Sequence, residues 1–440
     1  MSLPILTGAS EWPQVLLARA AKGPVADIAA AEAAGAWAAW RKATTELSPE
    51  VVLHTISESG LRGRGGAGYP TGAKWRDCVS QPEPVRYVVA NGFEADPGAG
   101  ADRTLMELDP HLVLEGTAMA AWVVGAERAI IAVSSAAPDA AERLRTAIVE
   151  AEEQGYIGLS LDGPSLTIEV REVTGSFVVG EETVLLRALE GQRAQADQRP
   201  PHPSRAGLHG KPTVVNNVKT LAAVPWIVEH GAGAYASLGT AETPGTTLLQ
   251  LGGATKRSGV VEVPLGTTLR AVVDGPGGGT AGSLKALLVG GPTGGFLPPE
   301  ALDTPLTYEA LREAGTLAGS GTLLALDDHA CLVDVATLMT RYLNDNACGK
   351  TIPCRIGTRR LSELGAAFCS GRARPTDADL LDDLAADVRD AALCGLEADA
   401  GNPLLSVMRY FAPEFEAHAT RGECPAGVCQ PISLAGAASS

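Results

Sequence analysis

The sequence has no uncharged apolar stretch of 18 or more residues, so it offers no segment that could span a membrane as a helix. Its first residues also lack the basic and then apolar segments of a secretory signal, and we expect a cytoplasmic protein. Positive charge is scarce, because 35 lysine and arginine residues face 51 aspartate and glutamate residues and leave a net charge of -16. Nucleic-acid binding needs basic patches that neutralise phosphates, so this balance argues against it. An anionic cofactor would have to be held by backbone N–H groups and a few placed cations.

The eight cysteines are unevenly distributed, since six of them follow residue 340. A disulfide framework would be unusual in a large chain without a secretory signal. Clustering in one terminal segment favours metal ligation. Cys78 and Cys331 lack partners at ligand spacing, and we interpret both as core residues.

Strand and helix patterns alternate in the first half of the chain. Residues 86–91, 130–135 and 166–173 are rich in β-branched residues, and residues 110–126 have a helical pattern. Alternation with glycine turns at strand ends predicts an α/β domain. Residues 245–290 then predict short strands around one short helix, and from about residue 330 apolar spacing of three and four residues predicts a helical bundle.

A glycine-rich loop, GLRGRGGAGYPTGAKW, runs from Gly60 to Trp75. Glycine lets backbone N–H groups approach a phosphate closely, and Arg64 and Lys74 could add positive charge to such a cradle. Most glycine-rich segments are only turns, so the residues alone leave phosphate binding and a plain turn open.

This loop resembles the GLRGRGGAGFPTGLKW signature of the family of NADH dehydrogenase flavoprotein subunits. The resemblance continues in ANGFEADPGAGADR (90–103), GSFVVGEETVLLRALEG (175–191) and GKPTVVNNVKTL (210–221), and it covers the chain from about residue 50 to Cys429. It implies an FMN in the α/β domain with NADH stacked against it, and catalytic roles for Glu94 and Glu182. The cofactor-binding positions that it carries over are Gly63, Arg64, Gly65, Gly66, Lys74, Asn91, Glu94, Gly180, Glu181, Glu182, Asn216, Asn217 and Thr220.

The chemistry of these residues agrees with that implication. Lys74 suits a phosphate, while Asn216, Asn217 and Thr220 offer donors and acceptors for ribityl hydroxyls or phosphate oxygens. Glu182 could accept from a ribose or from the nicotinamide amide. The alternative for this acidic pair, Glu181 and Glu182, is a solvated helix start, where acids favour the helix dipole.

Several positions depart from the family pattern. Phe93 replaces an Asp near the flavin, Phe177 replaces a Tyr, and Thr351 replaces a Cys. Asp77 and His202 stand where some relatives carry a stacking Phe, whose aromatic contact contributes about 1 kcal/mol beyond area burial. Asp96 shortens a Glu, and Tyr69 replaces a Phe. Three interpretations remain: NADH use with a rearranged pocket, a different electron donor or acceptor, or a structural subunit.

The segment NACGKTIPCRIG (346–357) resembles the family's iron–sulfur motif ESCGKCTPCRDG. Cys348, Cys354 and Cys394 match three of its four cysteines, and Thr351 occupies the remaining position. A 4Fe–4S cluster prefers four thiolates, and Thr is a poor ligand. The outcomes are a cluster with one non-Cys ligand, a three-iron cluster, or no cluster and three buried small side chains.

The segment EAHATRGECPAGVC (416–429) predicts a second metal site. His418, Cys424 and Cys429 have spacing that suits tetrahedral zinc with a further ligand. The segment resembles the end of bifurcating-hydrogenase β subunits, which implies Cys369 as that ligand. A ferredoxin-like domain follows there, and we expect none here. The alternative is a frayed tail with incidental cysteines.

These observations predict an α/β flavin domain, a β-grasp-like (SLBB-type) domain and a C-terminal helical bundle. The boundaries are a helical N-terminal extension over 1–47, the FMN/NADH-binding domain over 48–240, the β-grasp-like domain over 241–328, and over 329–440 the iron–sulfur-binding bundle with its zinc-site tail. The resemblance implies an oxidoreductase subunit that passes electrons between NAD(P)H, FMN and an iron–sulfur relay. Its implied partners are thioredoxin-like 2Fe–2S or ferredoxin-type subunits in a hetero-oligomer. The alternative is a scaffold subunit of such a complex without NADH activity.

Overall fold

The computed structural model describes residues 3–20, 23–158 and 165–429, so the tail beyond Cys429 lies outside the described residues. The strands are β1 (Tyr87–Gly92), β2 (Arg128–Ser134), β3 (Thr167–Val173), β4 (Thr213–Asn217), β5 (Thr246–Gly253), β6 (Gly259–Pro264), β7 (Leu284–Val289), β8 (Gly295–Leu297) and β9 (Thr322–Asp327). The helices before β5 are α1 (Ile28–Ala33), α2 (Ala38–Glu46), α3 (Pro49–Glu58), α4 (Thr71–Val79), α5 (Ala101–Leu108), α6 (Pro110–Val124), α7 (Pro138–Glu153), α8 (Glu182–Leu189), α9 (Pro203–Ala206), α10 (Val218–His230) and α11 (Ala232–Ala236). The later helices are α12 (Leu269–Asp274), α13 (Tyr308–Glu313), α14 (Leu332–Asn346), α15 (Thr358–Cys369), α16 (Asp377–Asp390), α17 (Gly395–Ala398), α18 (Asn402–Tyr410) and α19 (Ala412–Glu416).

The first sheet is parallel, with strand order β3-β2-β1-β4. Val88, Val89 and Ala90 of β1 are fully buried. Burial on both faces is what a parallel sheet covered by helices requires, and it explains the continuous apolar run at this strand. The strands predicted at 86–91, 130–135 and 166–173 are confirmed as members of this sheet.

Local capping signals set the starts of the helices around this sheet. The Ser48 side chain accepts a hydrogen bond from the Val51 N–H at the start of α3, and the Asp109 side chain does the same for Leu112 at the start of α6. Each cap is followed by a proline, which lacks the N–H that the first helical position cannot use. The helix predicted over 110–126 is therefore found as α6.

The second sheet is mixed, with strand order β6-β5-β9-β7-β8. β5 pairs antiparallel with β6 and parallel with β9, while β7 pairs antiparallel with both β9 and β8. Leucine and valine side chains from these strands and from α12 form their own buried cluster. The small β-rich unit predicted from the sequence is present, with α12 as its short helix.

The N-terminal segment differs from the predicted helical extension. α1 and α2 are helical, but residues 3–20 form no α-helix, and Ile5 instead bridges to Val260 of β6. The buried carboxylate of Glu262 accepts hydrogen bonds from three successive backbone N–H groups at residues 15–17. These bonds replace those of a helix, so the segment extends along the second sheet.

The C-terminal region is helical, as predicted. α14 packs against α15 and α18, and the short β8 contacts α18. Their apolar faces join a buried cluster that also includes Phe93 and Val179 from the first domain. No helix within the described ranges has the length and apolarity that crossing a membrane requires.

Candidate functional site

The predicted cofactor residues meet at the carboxyl ends of β1 and β4. These strands are neighbours, and their register places Asn91 opposite Asn217. β2 and β3 lie on the other side of β1, so the strand order changes direction at this pair. In open α/β sheets, ligands bind in the crevice outside the carboxyl ends at such a point.

The glycine-rich loop closes one side of this crevice. The Arg64 N–H donates to Oγ1 of Thr220 at 2.8 Å, which ties the loop to the start of α10. A Cβ atom on Gly65 would lie 3.3 Å from Cβ of Asn217, and one on Gly66 would lie 3.1 Å from the Gly319 carbonyl oxygen. Gly66 also has a φ of +118°, which favours glycine. The glycines therefore allow a close approach of backbone to both domains, as a cofactor cradle requires.

Lys74 supplies the cation of the crevice. Its Nζ donates to Oε2 of Glu182 at 2.7 Å and to the Val215 carbonyl oxygen at 2.9 Å. An ammonium group has three donors, so one remains for a ligand such as a phosphate. Burial raises the pKa of Glu182, but the charge and hydrogen bond of Lys74, with Arg199 nearby, outweigh it and lower that pKa overall.

Arg64 does not act as predicted. Its guanidinium group is buried and donates to the carbonyl oxygens of Thr246 and Pro244 and to the Tyr235 hydroxyl, all away from the crevice. The expectation that this side chain adds charge to a phosphate cradle is therefore wrong. Its rigid fork of donors instead fixes the loop to the start of the second sheet.

The predicted Asn and Thr ligands hold the crevice together. Oδ1 of Asn216 accepts from Nε1 of Trp75 at 2.8 Å, and Oδ1 of Asn217 accepts from the Lys219 N–H at 2.9 Å. Thr220 is fully buried and its hydroxyl oxygen accepts from the loop. Thr220 thus shapes the crevice from behind, while Nδ2 of Asn217 donates to Oδ2 of Asp102 and to the Asn91 carbonyl oxygen.

A buried charged group lies behind β1. Glu94 accepts hydrogen bonds from the N–H groups of Asp102 and Arg103, at the start of α5. Nζ of Lys219, which is fully buried, lies 2.7 Å from Oδ1 of Asp102. Burial raises the pKa of Glu94 to about 7, with Asp102 adding to the rise and Lys219 opposing it. Glu94 is therefore suited to exchanging a proton near neutral pH.

Asn91, Gly180 and Glu181 complete the other side. Nδ2 of Asn91 donates to the Gly180 carbonyl oxygen at 3.0 Å, and Glu181 caps α8 through the N–H groups of Thr183 and Val184. This cap agrees with the helix-start interpretation of Glu181. Its second oxygen, Oε1, is buried and has no hydrogen-bond partner among the described residues. It lies 3.6 Å from Nη1 of Arg199, and an acceptor without a hydrogen bond here fits a ligand that brings donors, such as the hydroxyls of a ribityl chain.

The residues that the sequence resemblance marks as departures are accommodated by packing. Phe93 is buried in the apolar cluster shared with the C-terminal helices, and Phe177 contacts Tyr342 edge to face. Asp77 accepts from Ser204 and pairs with Arg205, so its charge is compensated and its pKa is lowered. Asp96 accepts from the hydroxyls of Ser320 and Thr322 and links the two sheets.

The predicted iron–sulfur residues gather between α14, α17 and the π-helical turn Pro353–Gly357. The Cys348 and Cys354 thiols lie close enough to interact, and Cys394 is buried immediately before α17. The Cys354 thiol and backbone N–H groups lower the pKa of Cys348 to about 5, against the effect of burial. Thiolate character and backbone donors fit a site for a cluster.

Thr351 occupies the fourth position of this group without acting as a thiolate would. Its hydroxyl donates to Oε1 of Glu397 at 2.6 Å and accepts from the Cys354 N–H at 3.1 Å. The spacing of residues along the sequence did not predict that Glu397 lies beside Thr351.

A second group of potential ligands lies at the C-terminal end. Cys331, His418, Cys424 and Cys429 each present a ligand atom, and all four atoms lie within 4.8 Å of one another. The Sγ of Cys331 is 3.2 Å from Nε2 of His418 and 3.6 Å from Sγ of Cys429. Three thiolates and one imidazole at such spacing suit tetrahedral zinc.

This group differs from the predicted set in one member. Cys369 approaches Cys429 and Asp334 but does not belong to the four-residue group, and its Sγ lies 3.5 Å from Oγ1 of Thr337. Cys331 takes its place because it caps the start of α14, which contacts α19, and α19 leads directly into the turn that carries His418. Cys331 is far from His418 in the sequence, so spacing did not predict that the two lie close together. The interpretation of Cys331 as a core residue accounts for its burial alone.

Comparison with known proteins gives a consistent result. Residues 56–226 match the Nuo51 FMN-binding domain, and residues 334–418 match the NADH-ubiquinone oxidoreductase-F iron-sulfur binding region. HndC of the NADP-reducing hydrogenase from Solidesulfovibrio fructosivorans is 40% identical over 390 residues, which cover 88% of this chain and 79% of that protein. The F 2 subunit of NADH-quinone oxidoreductase in Rhizobium meliloti is 35% identical, with coverage of 90% and 94%.

A solved structure extends the similarity to the fold. An NAD+-reducing [NiFe]-hydrogenase in the H2-reduced state superposes with a TM-score of 0.82 and 31% identity, over 96% of this chain and 69% of that chain. The resemblance seen in the sequence is thereby confirmed. The chain belongs to the family of NADH dehydrogenase flavoprotein subunits, which includes the F-type subunits of NADH-quinone oxidoreductase and HndC of the NADP-reducing hydrogenase.

Proposed function

We propose that this chain is the flavin-binding subunit of a multi-subunit oxidoreductase, which passes electrons between a nicotinamide nucleotide, FMN and an iron–sulfur cluster. The observation that supports this most is the direct contact between the crevice and the cysteine segment. The Phe177 N–H donates to Oδ1 of Asn346 at 3.2 Å, and Nζ of Lys350 donates to the Ala196 carbonyl oxygen at 2.6 Å. The two sites are thus held together by hydrogen bonds rather than by a flexible linker.

Each group of residues has a role in this proposal. The free donor of Lys74 and the backbone of the glycine loop bind the phosphate of FMN, while Asn91 and Glu181 border its ribityl chain. Bound FMN supplies the conversion between two-electron and one-electron transfer. Glu94 holds a proton behind the crevice, and ionised Glu182 accepts hydrogen bonds from the nucleotide. Cys348, Cys354 and Cys394 hold the cluster.

The names of the relatives indicate the kind of assembly. One relative is part of an NADP-reducing hydrogenase and the other is part of an NADH-quinone oxidoreductase. We infer that this chain delivers or receives electrons through thioredoxin-like 2Fe–2S or ferredoxin-type partner subunits. The scaffold alternative is less favoured, because both matched regions are named for cofactor binding.

The second sheet and the C-terminal group complete the proposal. We assign residues 241–328 to a β-grasp-like, SLBB-type domain on the basis of the mixed sheet with the short helices α12 and α13. The group Cys331, His418, Cys424 and Cys429 would bind zinc and fix the turn after α19 to the start of α14.

The deciding measurement is the visible absorption spectrum of the anaerobically purified protein with its partners, before and after addition of NADH. A flavin band that bleaches, together with a broad shoulder from the cluster, is the expected result. A flavin band that does not respond to NADH would point to another donor, and a colourless protein would contradict the proposed function.

A further inference from the structure

The carboxylate of Glu397 lies beside Thr351, among the residues predicted to bind the iron–sulfur cluster. Its Oε1 is 2.6 Å from Oγ1 of Thr351, the residue at the one position of the group without a thiol. Glu397 belongs to the short helix α17, whose N-cap residue is Cys394.

Among the residues that the structure describes, no cation pairs with this buried carboxylate. Glu397 is only 1% exposed, and its hydrogen-bond partners in the described chain are neutral, namely the Thr351 hydroxyl and, at 2.9 Å, the Leu393 N–H. Buried charges in proteins are normally paired or coordinate a metal, because removal from water is otherwise costly. The position of Glu397 therefore calls for a positive centre beside it.

The carboxylate of Glu397 still has lone pairs with which to bind a positive centre. Its two oxygens offer about four lone-pair sites, of which the hydroxyl and the amide occupy one each. Thr351, by contrast, uses its proton toward Glu397 and its oxygen toward the Cys354 N–H. The threonine thus orients the carboxylate and is poorly disposed to be a ligand itself.

We propose that Glu397 supplies an oxygen ligand to the iron at the corner of the cluster that lacks a cysteine, with Thr351 as a positioning residue. An oxygen–iron bond replaces the missing sulfur–iron bond, and no change in oxidation state is needed. Carboxylates are hard anionic ligands that bind iron in many protein sites. The proposal rests on the proposed function, because it requires that the segment binds a cluster.

The test counts metal in the full-length chain. Wild-type protein and the isosteric Glu397→Gln variant are purified anaerobically and reconstituted with ferrous iron and sulfide. The wild type is expected to hold about four iron atoms per chain, and Mössbauer spectra should show one iron subsite unlike the others. Glu397→Gln is expected to hold about three, with the electron paramagnetic resonance signal of a three-iron cluster.

Two variants make the assignment specific. Thr351→Val is expected to retain about four iron atoms, and the double variant Thr351→Cys with Glu397→Gln is expected to regain the fourth iron through a thiolate. Asp399→Asn, which removes a carboxylate from the end of the same helix, serves as the matched control. A fourth iron that persists in Glu397→Gln overturns the assignment to Glu397, and a Mössbauer spectrum of Thr351→Val identical to that of the wild type overturns the positioning role of Thr351. Absence of any cluster from the reconstituted wild type overturns the relay in the proposed function instead.

Discussion

The ammonium group of Lys74 and the carboxylate of Glu182 form an ion pair, with Nζ and Oε2 separated by 2.7 Å. The pair joins a residue predicted to bind a phosphate to one predicted to be catalytic. Because Lys74 and Arg199 together outweigh burial and lower the pKa of Glu182, that carboxylate is ionised at neutral pH. Glu182 is therefore suited to accept hydrogen bonds from a ligand and is unsuited to donate a proton.

The first prediction concerns this role of Glu182. Glu182→Gln keeps the shape but removes the charge that accepts from the nucleotide, so KM for NADH should rise about tenfold, which corresponds to one charge-assisted hydrogen bond. FMN content should remain near that of the wild type, because Lys74 keeps its donors. Steady-state kinetics and flavin absorbance check both quantities, with Glu153→Gln on the exposed end of α7 as control. A loss of FMN as large as the loss of NADH affinity would contradict the assignment of nucleotide binding to Glu182 and of FMN binding to Lys74.

The second prediction concerns the pH dependence that Glu94 introduces. Its pKa in the folded protein, about 7, lies above its ordinary value of 4.5, so the folded state holds the proton more tightly. The resulting stabilisation is complete below pH 4.5 and is lost as pH rises through 7. The melting temperature of the wild type minus that of Glu94→Gln should therefore fall by about 2 °C or more between about pH 5 and 8. A difference that is independent of pH would refute this account of Glu94.

The third prediction concerns Arg64 as a structural residue. Arg64→Ala leaves the Pro244 and Thr246 carbonyl oxygens without donors in a buried site, so the free energy of unfolding should fall by about 2–5 kcal/mol. Denaturant unfolding measures the change. Arg76→Ala, which removes an exposed guanidinium from α4, should change it by less than about 0.5 kcal/mol. If Arg64→Ala instead preserves stability and abolishes FMN binding, the guanidinium belongs to the cofactor site.

The fourth prediction separates two sets of zinc ligands. Cys331→Ser should lower the bound zinc well below one atom per chain, because the sulfur of Cys331 is one of the four ligand atoms that lie within 4.8 Å of one another. Cys369→Ser should leave the zinc content close to that of the wild type. Elemental analysis of the purified protein measures both. The opposite pattern would restore the set that sequence resemblance implied.

Long motifs allowed the elements of the first sheet and its surrounding helices to be predicted from the sequence. The strand that ends in Asn91, the caps of α3 and α6, and the buried runs of the parallel sheet follow from local patterns that the fold preserves. Residues 3–20 depart from the helical extension predicted over 1–47, because the bonds that hold their backbone come from Glu262, in a strand about 245 residues away.

The amino-acid sequence by itself determined the family and the positions of the glycine loop and of the cysteine segments, since these depend on residue type and spacing along the chain. Only the tertiary structure decided which way Arg64 points, which cysteine joins His418, and that Glu397 stands beside Thr351. The physical reason is that these contacts join residues distant in sequence through the packing of separate helices and sheets. No local periodicity carries that information.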